Sequence, residues 1–132
     1  MYEPIRTKSV HTTTDSGGPH RSRDEELDIR LAGHLTALLT VTDELRDVTP
    51  SAELDQAAQQ LAAAVARLRD GRAPLRAAPS VRTGDPARLH QRARTLAGHA
   101  LVIAESRADE PAGTLAAERL EAHAAALGLT AV

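Results

Sequence analysis

The chain has 132 residues, of which 42% are hydrophobic and 26% are charged, and its formal net charge is −2. This length suits one domain with a single hydrophobic core. Cysteine is absent, which excludes disulfides, thiolate nucleophiles and cysteine-based metal centres. The chain also lacks Phe and Trp and has one Tyr, so its core must be aliphatic. Because Ala and Leu are strong helix formers, this composition predicts an all-α fold.

Residues 1–21 are predicted to form an N-terminal tail, and residues 22–132 to form a single helical-bundle domain. The tail is rich in turn-forming residues and has no apolar periodicity. We expect it to be partly disordered, with the alternative that Tyr2, Ile5 and Val10 dock loosely against a seam between helices. The chain shows no secretory signal at its start and no apolar stretch of about 20 residues, so we expect a cytoplasmic protein with no membrane association.

The first predicted hairpin joins a helix at about residues 22–48 to a helix at about residues 51–70. Ser22 and Glu25 fit a capping box at the start of the first helix, and apolar residues then recur at spacings of three and four. The dipeptide Thr49-Pro50 is predicted to supply the cap and the first residue of the second helix. So short a connection requires the two helices to run antiparallel.

The second predicted hairpin follows a linker at residues 71–84 that is rich in Pro, Gly and Arg. Its helices are expected at about residues 85–108 and 111–128, with Asp85 as the cap of the first. The predicted inner positions are Leu89, Ala93, Leu96, Ala100 and Ile103 in the third helix, and Ala116, Leu120, His123, Ala124 and Leu127 in the fourth. Two tandem hairpins predict a four-helix bundle with a pseudo-twofold axis.

An internal repeat supports this arrangement. The tetrad Leu-Ala-Gly-His occurs at residues 31–34 and again at residues 96–99, and the chain has only 8 Gly and 6 His. Leu38 and Ile103 continue the apolar pattern in the same register. We interpret the two halves as products of a tandem duplication, with chance similarity as the alternative.

The glycines of the two tetrads, Gly33 and Gly98, fall inside predicted helices. Glycine in a helix interior costs about 1 kcal/mol relative to Ala, and it often marks the close approach of another helix. We therefore predict that the first and third helices cross near these two residues.

The histidines are candidate ligands for a metal or a small molecule. His34 and His99 would face each other across the bundle if the halves are related by a twofold axis, and His123 could join them. However, the position three residues before each of these histidines is a Leu rather than a carboxylate. Histidines that serve only in packing are the favoured alternative, and a proton switch is a third.

An arginine-rich segment is the second candidate site. Arg72, Arg76 and Arg82 lie in the linker and suit an anion, whereas residues 24–55 are mainly acidic. Nucleic-acid binding is not expected, because the net charge is negative and no aromatic side chain is available to stack on bases. A solvated charged face is the favoured interpretation, and pairing of the acidic and basic regions between two copies is the alternative.

No sequence motif points to catalysis or to a cofactor. We therefore expect a non-enzymatic protein–protein interaction or regulatory module, with a protein partner or a second copy of the chain. The alternative is a metal- or small-ligand-binding bundle that uses inward-facing histidines. Lys8 is the only lysine, which together with the excess of Ala suggests a GC-rich, actinobacterial genome.

Overall fold

A computed structural model describes residues 21–76 and 84–129 of the chain. The predicted N-terminal tail, apart from Arg21, lies outside the described residues. The helices are α1 (Arg23–Val48), α2 (Ala52–Leu68), α3 (Pro86–Arg107) and α4 (Glu110–Ala126). The described part of the chain contains no strand. The all-α, four-helix architecture predicted from the sequence is therefore confirmed.

Side-chain caps define where the helices begin. The predicted capping box is present, because the Ser22 hydroxyl accepts a hydrogen bond from the Glu25 backbone N–H and the Glu25 carboxylate accepts one from Ser22 N–H. The predicted cap of α2 is wrong. Ser51 caps this helix, whereas the Thr49 hydroxyl donates to the Leu45 carbonyl at the end of α1, at 3.1 Å. The caps of α3 and α4 are Asp85 and Asp109.

The helices surround the core in the order α2, α1, α3, α4. Short connections make α1 antiparallel to α2, and α3 antiparallel to α4. α1 and α3 are also antiparallel, since Arg107 at the end of α3 donates to Asp28 near the start of α1 at 3.0 Å. The contact between α2 and α4 is the smallest of the four helix–helix contacts, so this side of the bundle is the most open. Among the described helices, none is both long and apolar enough to cross a membrane.

The core is leucine-rich on α1 and alanine-rich on α3. Every fully buried residue of α3 is an alanine, and these residues are Ala93, Ala97, Ala100 and Ala104. The larger residues predicted as inner positions, Leu89, Leu96 and Ile103, are only half-buried. The reason is that α3 packs against both α1 and α4, so its alanine stripe faces the centre and its larger side chains flank that stripe.

The crossing of the first and third helices near Gly33 and Gly98 stays a prediction, but the structure shows no packing reason for a glycine at either position. A methyl group built on either residue would meet no neighbouring heavy atom within 4 Å. Gly33 is exposed and Gly98 is half-buried. Close approach between helices therefore does not require a glycine at either position.

Candidate functional site

Four polar side chains from three helices form a continuous network at the end of the bundle where α2 and α3 begin and α4 ends. One guanidinium nitrogen of Arg119, Nη1, donates to the carboxylate of Glu53. A second guanidinium nitrogen, Nη2, lies 3.2 Å from Nε2 of His123. Nδ1 of His123 lies 2.9 Å from Nδ1 of His90. We call these four residues the polar network.

The chemistry of arginine determines where the histidine protons lie. A guanidinium group only donates hydrogen bonds, so Nε2 of His123 must accept from Arg119. The proton of neutral His123 is therefore on Nδ1, which donates to His90. Nδ1 of His90 accepts this bond, and its own proton is on Nε2. Arg119 therefore donates to Glu53 and to His123, and His123 donates to His90.

The two central residues of the network, Arg119 and His123, are buried. His123 is 1% exposed and Arg119 is 4% exposed, whereas the Glu53 side chain is 60% exposed. Burial, followed by the charge of Arg119 and the proximity of His90, lowers the pKa of His123 to about 3. Burial also lowers the pKa of His90; Arg119 acts in the same direction and Glu53 opposes it. Both imidazoles are therefore neutral at physiological pH.

Sequence reasoning identified only His123 among these residues as a candidate site residue. It missed Arg119, although this residue lies four positions before His123 and in phase with Ala112 and Ala116, which are both buried. A charged residue at an inner position of an otherwise apolar stripe was the available signal. His90 carried the same kind of signal, because it lies three positions before Ala93 and seven before Ala97, which are both buried.

The two tetrad histidines lie elsewhere, between α1 and α3. The ring centroids of His34 and His99 are 5.3 Å apart, and the rings are nearly perpendicular at 75°. His34 is half-buried and His99 is exposed. Burial, followed by His99 and Arg30, lowers the pKa of His34. The structure therefore brings together the two tetrad histidines, and it places His123 with His90 rather than with them.

Among the described residues, the fold brings no third ligand to either histidine pair. Within residues 21–76 and 84–129, no three His, Asp or Glu side chains are grouped so that they could hold a metal ion. In the polar network, the Arg119 guanidinium lies beside the two imidazoles and would repel a cation. His34 and His99 form the other histidine pair among the residues that the structure describes.

The arginines of the linker do not form one site among the described residues. Arg76 donates to both carboxylate oxygens of Asp43 on α1, at 2.8 and 3.0 Å. Partial burial raises the pKa of Asp43, but hydrogen bonds from Arg76 and Arg46 outweigh this effect and leave the pKa below its usual value. Arg72 donates to the Arg69 carbonyl at 3.3 Å, and Arg82 lies outside the described residues. At Arg76, the acidic and basic regions of the sequence thus meet within one chain.

A groove runs between α2 and α4, on the open side of the bundle. It has a volume of about 560 Å³, and four of its lining residues are apolar: Ala63, Ala64, Pro111 and Leu115. Its polar lining residues are Gln60, Arg67, Thr114 and Glu118. Arg67 also reaches Asp109, the cap of α4, at 3.1 Å. The groove and the polar network therefore share the same two helices.

No family model, curated protein or solved structure matches this chain.

Proposed function

We propose that this protein is a non-enzymatic helical module that acts through protein–protein contact. Its partner is a second copy of the same chain, and the groove between α2 and α4 is the contact surface. The observation that carries the proposal is the small contact between α2 and α4, which leaves an apolar groove of about 560 Å³ on one side of the bundle. Small residues such as Ala63 and Ala64 allow another helix to approach closely.

Charge favours a second copy as the occupant. In a twofold interface, a residue i of one copy contacts residue j of the other, and residue j contacts residue i. The groove carries one basic side chain, Arg67, and one acidic side chain, Glu118. Arg67, which also contacts Asp109 of its own chain, can pair with Glu118 of a second copy in both directions. The one basic and one acidic side chain leave the groove lining with no net charge that would repel a second groove.

The expected affinity follows from the size of the surface. A helix of 17 residues, the length of α2 and of α4, is about 25 Å long and about 10 Å wide. Two such helices side by side present a footprint of roughly 500 Å², below the about 800 Å² per partner of a standard interface. We therefore expect a weak dimer with a dissociation constant in the micromolar range.

Sedimentation velocity over a concentration series tests the proposal. The wild type should shift from monomer to dimer between about 1 μM and about 1 mM, a range that brackets the expected constant. Ala63→Glu places a charge in the groove and should remain monomeric throughout. Ala87→Glu is the matched control, because Ala87 is exposed on α3 and lies outside the groove, and it should dimerise like the wild type. A monomeric wild type, or an Ala63→Glu variant that dimerises normally, would contradict the proposal.

A second candidate function is weak binding of a transition-metal ion by His34 and His99. The supporting observation is the 5.3 Å separation of their ring centroids across two helices. Imidazole is a ligand for Zn²⁺, Cu²⁺ and Ni²⁺, and reorientation of the two rings would direct one nitrogen of each toward a shared ion. Water would complete the coordination.

Titration of each metal against three proteins tests this candidate. The wild type and a His90→Ala control should bind with similar affinity, and the His34→Ala/His99→Ala double variant should lose binding. Equal binding by all three proteins would exclude a site at this pair. A rise in melting temperature with metal concentration provides an independent measurement, since an ion bound only by the folded state stabilises it.

A further inference from the structure

The polar network cannot take up a proton without losing a hydrogen bond. If His90 is protonated, its Nδ1–H faces the Nδ1–H of His123 at the present 2.9 Å contact, and two donors then oppose each other. If His123 moves its proton to Nε2 to relieve this conflict, the new N–H faces a donor of Arg119. One of the two contacts is therefore broken in every protonated form.

The surroundings determine where the proton enters and why the broken contact is costly. His90 is half-buried and meets solvent, whereas His123 and Arg119 are 1% and 4% exposed, so water cannot easily replace a bond lost there. Protonated His90 would also add a positive charge near Arg119, which has only Glu53 as its counter-ion in the network. The charged groups that affect the pKa of His90 are Arg119 of α4 and Glu53 of α2, and among the described residues none comes from α1.

We propose that the polar network is a pH-sensitive latch on the C-terminal half of α4. At neutral pH, its hydrogen bonds attach α4 to Glu53 of α2 and to His90 of α3. Protonation of His90 breaks its contact with His123 and releases this part of α4 from α3, while the Arg119–Glu53 pair still joins α4 to α2.

The latch also gives the proposed dimer a pH dependence. α4 forms one wall of the groove between α2 and α4, and Arg119 joins that wall to α2 through Glu53. Release of α4 would displace the wall, so dimerisation should weaken in mild acid. This consequence rests on the proposed function, whereas the latch itself does not.

Nitrogen-15 chemical shifts of the histidine rings test the starting state of the latch. At pH 7, His123 should be neutral with its proton on Nδ1, and His90 should be neutral with its proton on Nε2. As the pH falls, His90 should be the first of the two to be protonated, and the tautomer signal of His123 should change in the same step. A His123 ring with its proton on Nε2 at pH 7, or independent titration of the two rings, would overturn the proposal.

Hydrogen exchange at a concentration where the protein is monomeric tests the release. After correction for intrinsic rates, amides of residues 120–126 should open more at pH 5 than at pH 7. The increase should be at most about 25-fold for each network histidine that has an ordinary pKa in the open state, and His123, whose pKa in the closed state is about 3, should come close to this limit.

His90→Asn is the informative variant, since Asn places an acceptor oxygen near the position of Nδ1 but cannot be protonated. It should reduce the pH response toward the contribution of His123 alone. His34→Asn, in the other histidine pair, is the matched control and should keep the wild-type response in α4. An unchanged response in His90→Asn, or a wild type whose α4 exchange is independent of pH, would overturn the latch.

Sedimentation at pH 7 and pH 5 separates the latch from the proposed dimer. If both are correct, the wild type should dimerise at pH 7 and dissociate at pH 5, and His90→Asn should retain more dimer at pH 5. A wild type that is monomeric at pH 7 would refute the proposed dimer, while the exchange data would still decide the latch. A dimer unaffected by pH, together with pH-dependent exchange, would refute the coupling between the two.

Discussion

His123 is expected to make the stability of the fold depend on pH between 7 and 5. Burial, then Arg119 and His90, lower the pKa of His123 to about 3 in the folded protein, whereas an imidazole in the unfolded chain has a pKa of about 6.5. Between these two values the unfolded chain binds a proton that the folded chain does not. Acid therefore favours unfolding: the stabilisation is fully present above about pH 6.5 and is lost as the pH falls toward 3.

The size of the effect follows from the unfolded-state pKa. Lowering the pH from 7 to 5 increases the proton-binding polynomial of an unfolded histidine about 25-fold, while the folded His123 binds almost no proton over this range. The free energy of unfolding should therefore fall by about 2 kcal/mol from His123 alone. The pKa values of His34 and His90 are also lowered, so their contributions have the same sign.

Urea unfolding followed by circular dichroism at pH 7, 6 and 5 measures this dependence. In His123→Asn, the loss of stability between pH 7 and pH 5 should be smaller than in the wild type by about 2 kcal/mol. Thr42→Ala is the control, because Thr42 is also buried and donates to the Leu38 carbonyl at 2.8 Å but has no group that titrates in this range. It should be less stable than the wild type at every pH, with an unchanged pH dependence. If His123→Asn kept the full pH dependence, His123 would not be the group responsible.

Three further predictions concern stability and can be checked by thermal or urea unfolding. Gly33→Ala should stabilise the fold by about 0.5–1 kcal/mol, because the site has space for a methyl group, whereas Gly71→Ala should destabilise it, because Gly71 has a φ of +84°. Ala97→Leu should cost about 1–3 kcal/mol by overpacking the alanine stripe of α3, and the exposed control Val102→Leu should change little. Glu53→Ala should destabilise the fold by about 1–3 kcal/mol at pH 7, since it leaves the Arg119 guanidinium buried without a counter-ion, and a neutral effect would show that solvent already screens this charge.

The helices themselves were predictable from local signals. The capping box at Ser22 and Glu25, the cap at Asp85 and the apolar spacing of α1 are encoded within a few residues of each other, and each has a direct counterpart in the structure. Thr49 was the predicted cap of α2 and Ser51 is the observed one, which shows the limit of such signals. Both residues have a hydroxyl near the start of the helix, and only the backbone conformation decides which one caps it.

The packing faces of α3 were less predictable, because periodicity indicates which residues share a face but not how many helices that face contacts. Leu89 and Leu96 have the spacing of inner residues, and in a helix with one neighbour they would be the buried ones. α3 has two neighbours, so the alanines between its larger residues occupy the centre instead. Gly33 and Gly98 show a related limit, because a glycine inside a helix does not indicate whether a neighbouring helix contacts it at that position.

The polar network could not be predicted from the sequence, because it depends on the axial position of one helix relative to another. Arg119 and His123 are one turn apart on α4, so the sequence alone places them side by side. Their contacts with His90 and Glu53 are separated by 33 and 66 positions, respectively. Such contacts form only when α3 and α2 begin at the level where α4 ends.

Polar contacts fix the axial position of α3 relative to α1 and α4. An alanine stripe such as the one on α3 packs closely but offers few protruding side chains that interlock, so the stripe alone determines the axial position of a helix weakly. Directional contacts hold α3 at both ends: Arg107 donates to Asp28 of α1 at one end, and His90 accepts from His123 of α4 at the other. Loss of the His90 contact on protonation therefore removes one of these two restraints on α3. It also removes the main polar contact between α3 and the end of α4. We therefore expect a local release of α4 rather than a uniform loosening of the bundle.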